Sequence, residues 1–232
     1  MFESKYSKVL TVILIIVIIA IIGLLGFLAY DYYQNYMITK DTSEFVDAFQ
    51  GDVVSEEEDS DGTTNSSNDG TVDVGDIQDN PLDKLNDASA SKSSSASKKQ
   101  TYKGFGVLGT IEIPAINLKY PVLEKVTKKS IETAVAFLYG TGLNEPGNSV
   151  IIGHNYRNGL FFSNNKKLNI GDKIYITDNS GRKLTYTIYN KFETTPEDTS
   201  FYQRDTAGKA EVTLSTCTDD SQARLIILAR NE

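Results

Sequence analysis

Val9 to Ala29 is a run of 21 residues without a charged side chain, composed mostly of Ile, Leu and Val. At about 1.5 Å of rise per residue, a helix of that length crosses the ~30 Å hydrocarbon core of a bilayer. The chain therefore has to be organised around one apolar span close to its N-terminus. A cleaved signal peptide is the competing reading. The run exceeds the usual core of about 7–15 residues, and no convincing small-x-small cleavage site follows it, which favours an uncleaved signal anchor. A buried core helix is disfavoured because nothing on the segment is polar enough to make a solvent face. Lys5 and Lys8 precede the run, Asp31 follows it, and the next basic residue is Lys40. The excess of basic residues on the first flank predicts a cytoplasmic N-terminus, residues 1–8, a span over 9–29, and an extracytoplasmic remainder.

That remainder divides by composition. Between Lys40 and Lys84 there are fourteen Asp or Glu residues and no Lys or Arg, and Ala88 to Gln100 is mostly Ser, Ala and Lys. Such segments bury too little apolar surface to offset their ordering entropy. Residues 30–101 are read as an acidic and Ser-rich spacer, flexible from about Lys40 to Gln100, with a short helical extension of the span through Tyr36. The net charge of −8 belongs to this spacer. Residues 102–232 hold sixteen basic and fourteen acidic residues, a balance of +2, so the folded part gives no case for nucleic-acid binding.

Residues 102–232 suffice for one domain with a single core. Segments rich in β-branched and aromatic residues recur at Gly109–Ile113, Ser149–Ile152, Lys173–Thr177, Leu184–Phe192, Glu211–Cys217 and Arg224–Arg230, separated by turn residues such as Asn179, Ser180 and Gly181. They predict a mainly β domain, mostly antiparallel and closed or nearly closed into a barrel. Short helices are expected around Ser130–Phe137 and Leu160–Leu168. In the hairpin Lys173–Phe192, Ile174 and Ile176 face Tyr186 and Ile188 as core positions at period two.

The chain contains one cysteine and one histidine, both in this domain. Alternation along Glu211–Cys217 puts Val212 and Leu214 on one face and Cys217 on the other, at the strand end. Six residues, Thr218 to Ala223, then separate Cys217 from Arg224, so hairpin geometry sets the two side by side at the loop mouth. A guanidinium there is suited to hold a carbonyl oxygen or a developing oxyanion. His154 follows the strand Ser149–Ile152 through Gly153 and also falls at a strand end. Each has a bland alternative: a lone Cys is commonly a buried small hydrophobe, a lone His a surface or capping residue, an Arg at a strand start a solvated charge. Compartment weighs against these, since a free thiol outside the cytoplasm risks oxidation without serving a disulfide. A thiol nucleophile with an acid/base partner accounts for its presence.

The TLSTC run ending at Cys217, the following Arg224, the VIIGHN run at Val150–Asn155 and the segment GVLGTIEIPAINLKYPV at Gly106–Val122 resemble the sortases, membrane-anchored cysteine transpeptidases of Gram-positive surfaces. The resemblance covers roughly Tyr102 to the C-terminus. It implies a β-barrel of about eight strands and attack by the cysteine on the Thr carbonyl of an LPXTG-like C-terminal sorting signal. A thioacyl enzyme results, which an amine resolves. It also implies Cys217 as nucleophile, His154 as general acid/base, Arg224 as substrate and oxyanion stabiliser, and Thr216 as a substrate contact. The loop Thr194–Lys209, with Pro196, Phe201 and Tyr202, takes the place of the specificity loop. The partners so implied are surface proteins or pilins bearing a sorting signal, a peptidoglycan-precursor or pilin amine, and the membrane. Domain size resembles class A, whereas TLSTC and GHN lean toward class B. Glu193, Glu197 and Asp198 are read as solvated acids, so no metal and no cofactor is expected. Peptidoglycan L,D-transpeptidases and papain-like enzymes carry a different signature or place Cys before His. The non-enzymatic alternative is a membrane-tethered β-barrel binding module in which Cys217 is incidental.

Overall fold

Barrel closure is decided at Phe105–Ile113. This strand pairs antiparallel with Leu118–Leu123 on one side and with Lys173–Asp178 on the other. Gly109 sits where these partners converge, and a Cβ there would come within 2.3 Å of the Thr177 carbonyl oxygen, a separation no side chain tolerates. In the computed structural model, which describes residues 5–58 and 100–231, the chain runs as helix α1 (Lys5–Glu58), strands β1 (Thr101–Tyr102), β2 (Phe105–Ile113) and β3 (Leu118–Leu123), and helix α2 (Lys128–Ile131). Strands β4 (Val135–Tyr139), β5 (Gly147–Ile152), β6 (Lys173–Asp178), β7 (Lys183–Thr194), β8 (Ala210–Cys217) and β9 (Arg224–Asn231) follow. The order is β1-β2-β3-β4-β5-β8-β9-β7-β6, and the β2–β6 pairing closes strands β2 to β9 into an eight-stranded barrel with β1 appended. All pairings are antiparallel except β3–β4 and β5–β8.

The inward positions expected of the β6–β7 hairpin, Ile174, Ile176, Tyr186 and Ile188, are all buried in the main core with Val212 and Leu214. Two helix expectations are corrected. Helix α2 stops at Ile131, and Val135–Phe137 instead enters β4, where β3 and β5 offer ladder partners on both sides. Over Leu160–Leu168 only a 3₁₀ turn, Asn165–Lys167, forms, because Leu160, Phe161 and Phe162 are all buried and leave no solvent face for an amphipathic helix.

The spacer reading also changes. Helix α1 does not end near Tyr36 but continues to Glu58, and its second half lies on the barrel. Ile38, Thr42, Phe45, Val46, Phe49 and Val53 recur at three- and four-residue spacing and form the packed stripe, with Phe49 and Val53 joining the main core. Ion pairs and hydrogen bonds flank it: Lys103 and the Tyr102 hydroxyl meet Asp41 at 2.6 and 2.8 Å, Lys119 meets Asp47 at 2.7 Å, and Gln50 donates to Glu112 at 2.7 Å. Burial raises the Glu112 carboxyl, yet hydrogen bonds from Lys183 and Gln50 outweigh it and hold the group below its ordinary pKa. The acidic composition of 41–58 had concealed this periodicity. The rest of the spacer, 59–99, lies outside the described residues. The first half of α1 has no buried side chain over its most apolar stretch and is the one helix among the described residues long and apolar enough to cross a membrane.

Candidate active site

The parallel pairing of β5 with β8 brings the candidate residues together. Ile152 lies opposite Ser215, and Gly153 N donates to the Ser215 carbonyl at 3.3 Å, so the two strands end side by side. Two residues further along each chain stand His154 and Cys217. Parallel neighbours lie about 4.8 Å apart, which sets both side chains at one barrel mouth. Gly153 is needed for this exit, because a Cβ there would meet Phe162 and Val135 at 2.9 Å.

Arg224 reaches the same mouth from β9. Cys217 and Arg224 are register partners, the loop between them is closed by Thr218 N donating to the Ala223 carbonyl, and the Arg224 guanidinium lies 3.1 Å from the Cys217 sulfur. The thiol is partly exposed and free of any disulfide. The His154 ring stacks on Tyr156 with centroids 4.7 Å apart and meets Phe161 edge-on at 6.5 Å. Burial lowers the imidazole pKa below 6.5, with Glu132 acting weakly in the opposite direction, so the ring is neutral at pH 7 and able to accept a proton.

These three residues line a groove of about 300 Å³ together with Ile131, Leu138, Ile152, Pro196, Tyr202, Ser215 and Thr216. Thr216 is buried, and its hydroxyl has no hydrogen-bond partner among the described residues. A desolvated hydroxyl without a partner costs stability that a bound peptide amide can restore. Of the three loop residues singled out by sequence, Pro196 and Tyr202 line the groove. Phe201 lies beneath the loop in a second small core with Val150, Ile226 and Leu228.

The loop is held by residues that sequence reasoning passed over. Arg204 donates to the Phe201 carbonyl, Thr213, Asn148 and Glu211 at 2.6–3.1 Å, and Asn148 donates to the Phe201 and Tyr202 carbonyls. Glu211, 2% exposed, also takes an ion pair from Arg230 and a hydrogen bond from Tyr189. Burial pushes its carboxyl up, but these donors prevail and hold it below the usual range. Asn155, the last residue of the VIIGHN run, donates its amide to the Cys217 carbonyl at 3.0 Å and to Asp219 at 2.9 Å, tying the histidine loop to the cysteine strand. An amide directly after the histidine was the available signal. Asp198 accepts from Thr194 and from the Ser200 amide within its own loop. Among the described residues no cluster of three His, Cys, Asp or Glu side chains is placed to hold a metal ion.

Comparison with known proteins places the family and the fold. The family model described as the sortase domain matches residues 111–232, more than half of the chain. The chain belongs to the sortase family. Sortase A of Bacillus anthracis is 33% identical over 124 residues, covering 52% of this chain and 58% of that protein. Sortase A of Streptococcus agalactiae serotype III (strain NEM316) is 29% identical over 133 residues, covering 54% and 53%. This sortase thus spans rather more than half the length of these curated relatives. Among solved structures, sortase A from Corynebacterium diphtheriae superposes with a TM-score of 0.51 at 30% identity, covering 55% of this chain and 61% of that one. A Clostridium perfringens sortase D5 transpeptidase gives 0.50 at 30% identity, covering 54% and 79%. The closed barrel is the fold of these sortase structures.

Proposed function

We propose that this sortase is a cysteine transpeptidase that cleaves an LPXTG-like C-terminal sorting signal and transfers the new carboxyl end to a cell-wall or pilin amine. The observation that carries the reading is the meeting of Cys217, Arg224 and His154 at one mouth, with the guanidinium 3.1 Å from the sulfur. In this mechanism neutral His154 takes the Cys217 thiol proton, and the resulting thiolate attacks the Thr carbonyl carbon of the signal, forming a C–S bond and a tetrahedral oxyanion. Arg224 donates to that oxygen, where charge develops, and Thr216 positions the peptide. Protonated His154 gives its proton to the departing amine as the C–N bond breaks, leaving a thioester. An acceptor amine then attacks the thioester, neutral His154 takes the amine proton, and as the C–S bond breaks the departing Cys217 thiolate recovers that proton, so the new amide leaves with thiol and imidazole restored. Both half-reactions balance without a cofactor.

The apolar first half of α1 supports a single-pass anchor, with the N-terminus cytoplasmic and the barrel outside. The test is to incubate the full chain in detergent with a pentapeptide library and a panel of amines, and to identify products by mass. Peptide–amine conjugates from one motif, absent for Cys217→Ala, are the expected result. Products that persist in that variant would remove Cys217 from the chemistry, and absence of products from the wild-type chain would favour the tethered binding module.

A further inference from the structure

The docked half of α1 runs along the barrel in a defined direction. Asn35 meets Asn158 at 3.3 Å, and Asn158 lies in the exposed turn Tyr156–Gly159 that follows His154 at the mouth. Eighteen residues later, about 27 Å along the helix, Val53 lies over Gly181, where a Cβ would come within 3.1 Å of the Val53 carbonyl oxygen. Gly181 is in the β6–β7 turn. Strand β7 leaves that turn at Lys183 and reaches the mouth only at Thr194, opposite Arg224, so the turn marks the far end of the barrel. The helix therefore enters at the mouth and ends at the opposite pole.

Its other end is the apolar span. Ala29 precedes Asn35 by six residues, about 9 Å of helix. Between them begins a second, independent marker: Tyr30, Tyr32, Tyr33 and Tyr36 are all more than half exposed and point to several sides of the helix. Tyrosines so distributed suit the headgroup zone, whose depth is about 5–7 Å per leaflet. Asn35 falls within this girdle, and it carries the mouth loop with it.

We infer that α1 is a rigid strut which holds the barrel with its catalytic mouth against the membrane surface and its β6–β7 turn pointing away. The partner of the mouth rim is a lipid surface. The leaflet involved does not matter to the geometry, because the span and the strut are one helix.

The orientation is tested without turnover. In full-length Cys217→Ala, which carries no native thiol, a fluorophore is placed through Arg157→Cys at the mouth or Ser180→Cys at the far turn. The chain is then reconstituted in phosphatidylcholine vesicles containing a nitroxide-headgroup lipid. Quenching should be severalfold stronger at position 157 than at 180. Equal quenching would mean a freely tumbling tether, and stronger quenching at 180 the opposite pose; both overturn the inference. Inserting eight Gly and Ser residues between Asp31 and Tyr32 should abolish the difference, and its persistence would show that the strut is not what orients the barrel. Since these chains are inactive by design, the outcome is independent of whether the transpeptidase reading holds.

Discussion

The flank of the barrel under α1 and the mouth around Cys217 differ in how fully their polar groups are satisfied. On the flank, Asp41 meets Tyr102 and Lys103, Asp47 meets Lys119, and Glu112 meets Gln50 and Lys183, all in short pairs around a buried apolar stripe. At the mouth, among the described residues, the buried Thr216 hydroxyl has no hydrogen-bond partner and the His154 ring makes aromatic contacts but no hydrogen bond. Among the described residues only Arg224 attends the thiol. Satisfied groups hold a structure in place, whereas groups left wanting are available to a ligand or a reaction. Changes at the mouth should therefore cost activity and little stability, and changes on the flank the reverse.

The largest effect is expected at the mouth. Cys217→Ala should lower transpeptidation by at least about 10³-fold, His154→Ala by about 10²–10⁴-fold and Arg224→Ala by about 10²–10³-fold, with circular dichroism and the melting temperature unchanged. Unfolding of Arg224→Ala would make that residue structural and blur the contrast. Next comes the flank. A chain beginning at Tyr102 loses the helix that carries Phe49 and Val53, each contributing about 1.5–3 kcal/mol by burial. It should melt lower and aggregate more than a chain beginning at Met37, while whatever remains folded turns over soluble peptide. Equal melting temperatures would show that the helix adds nothing to the barrel.

Between the two regions lies the Arg204–Glu211 pair, structural in its bonding yet attached to the groove through Phe201 and Tyr202. Glu211→Ala leaves Arg204, itself only 18% exposed, without its carboxylate, a change that costs about 3–5 kcal/mol for a buried pair. The loosened loop should raise KM for the peptide more than it lowers kcat, as steady-state kinetics would show. A fall in kcat alone would place the network in the chemistry instead. The smallest effect is that of pH on His154. Because its folded pKa lies below the unfolded 6.5, stability is complete above about pH 6.5 and falls as the pH drops through the lowered folded value. An NMR titration should find the imidazole neutral at pH 7, and a midpoint above 6.5 would contradict its burial.

The candidate triad and its strand-end placement were legible because alternation and hairpin register act over a few residues: Cys217 and Arg224 meet as the six-residue loop requires. That His154 joins them was not legible, since it depends on β5 and β8 pairing in parallel across more than sixty residues of sequence. The first residues of β4, Val135–Phe137, were read as the end of a helix because their parallel partner β3 carried no strand signal in the sequence. The docked helix was missed for a different reason: fourteen acidic residues dominated the composition from Lys40 to Lys84, while a stripe of Phe45, Val46, Phe49 and Val53 ran through them at helical spacing.

The central claim is that Cys217 carries the acyl group. Intact-mass measurement of the full chain mixed with a sorting-signal peptide, quenched in acid before any amine is added, tests it directly. The predicted result is a mass increase equal to the acyl portion of the peptide, located on Cys217, released by hydroxylamine and absent from Cys217→Ala. Turnover of the peptide with no such adduct, or an adduct that survives in Cys217→Ala, would contradict it.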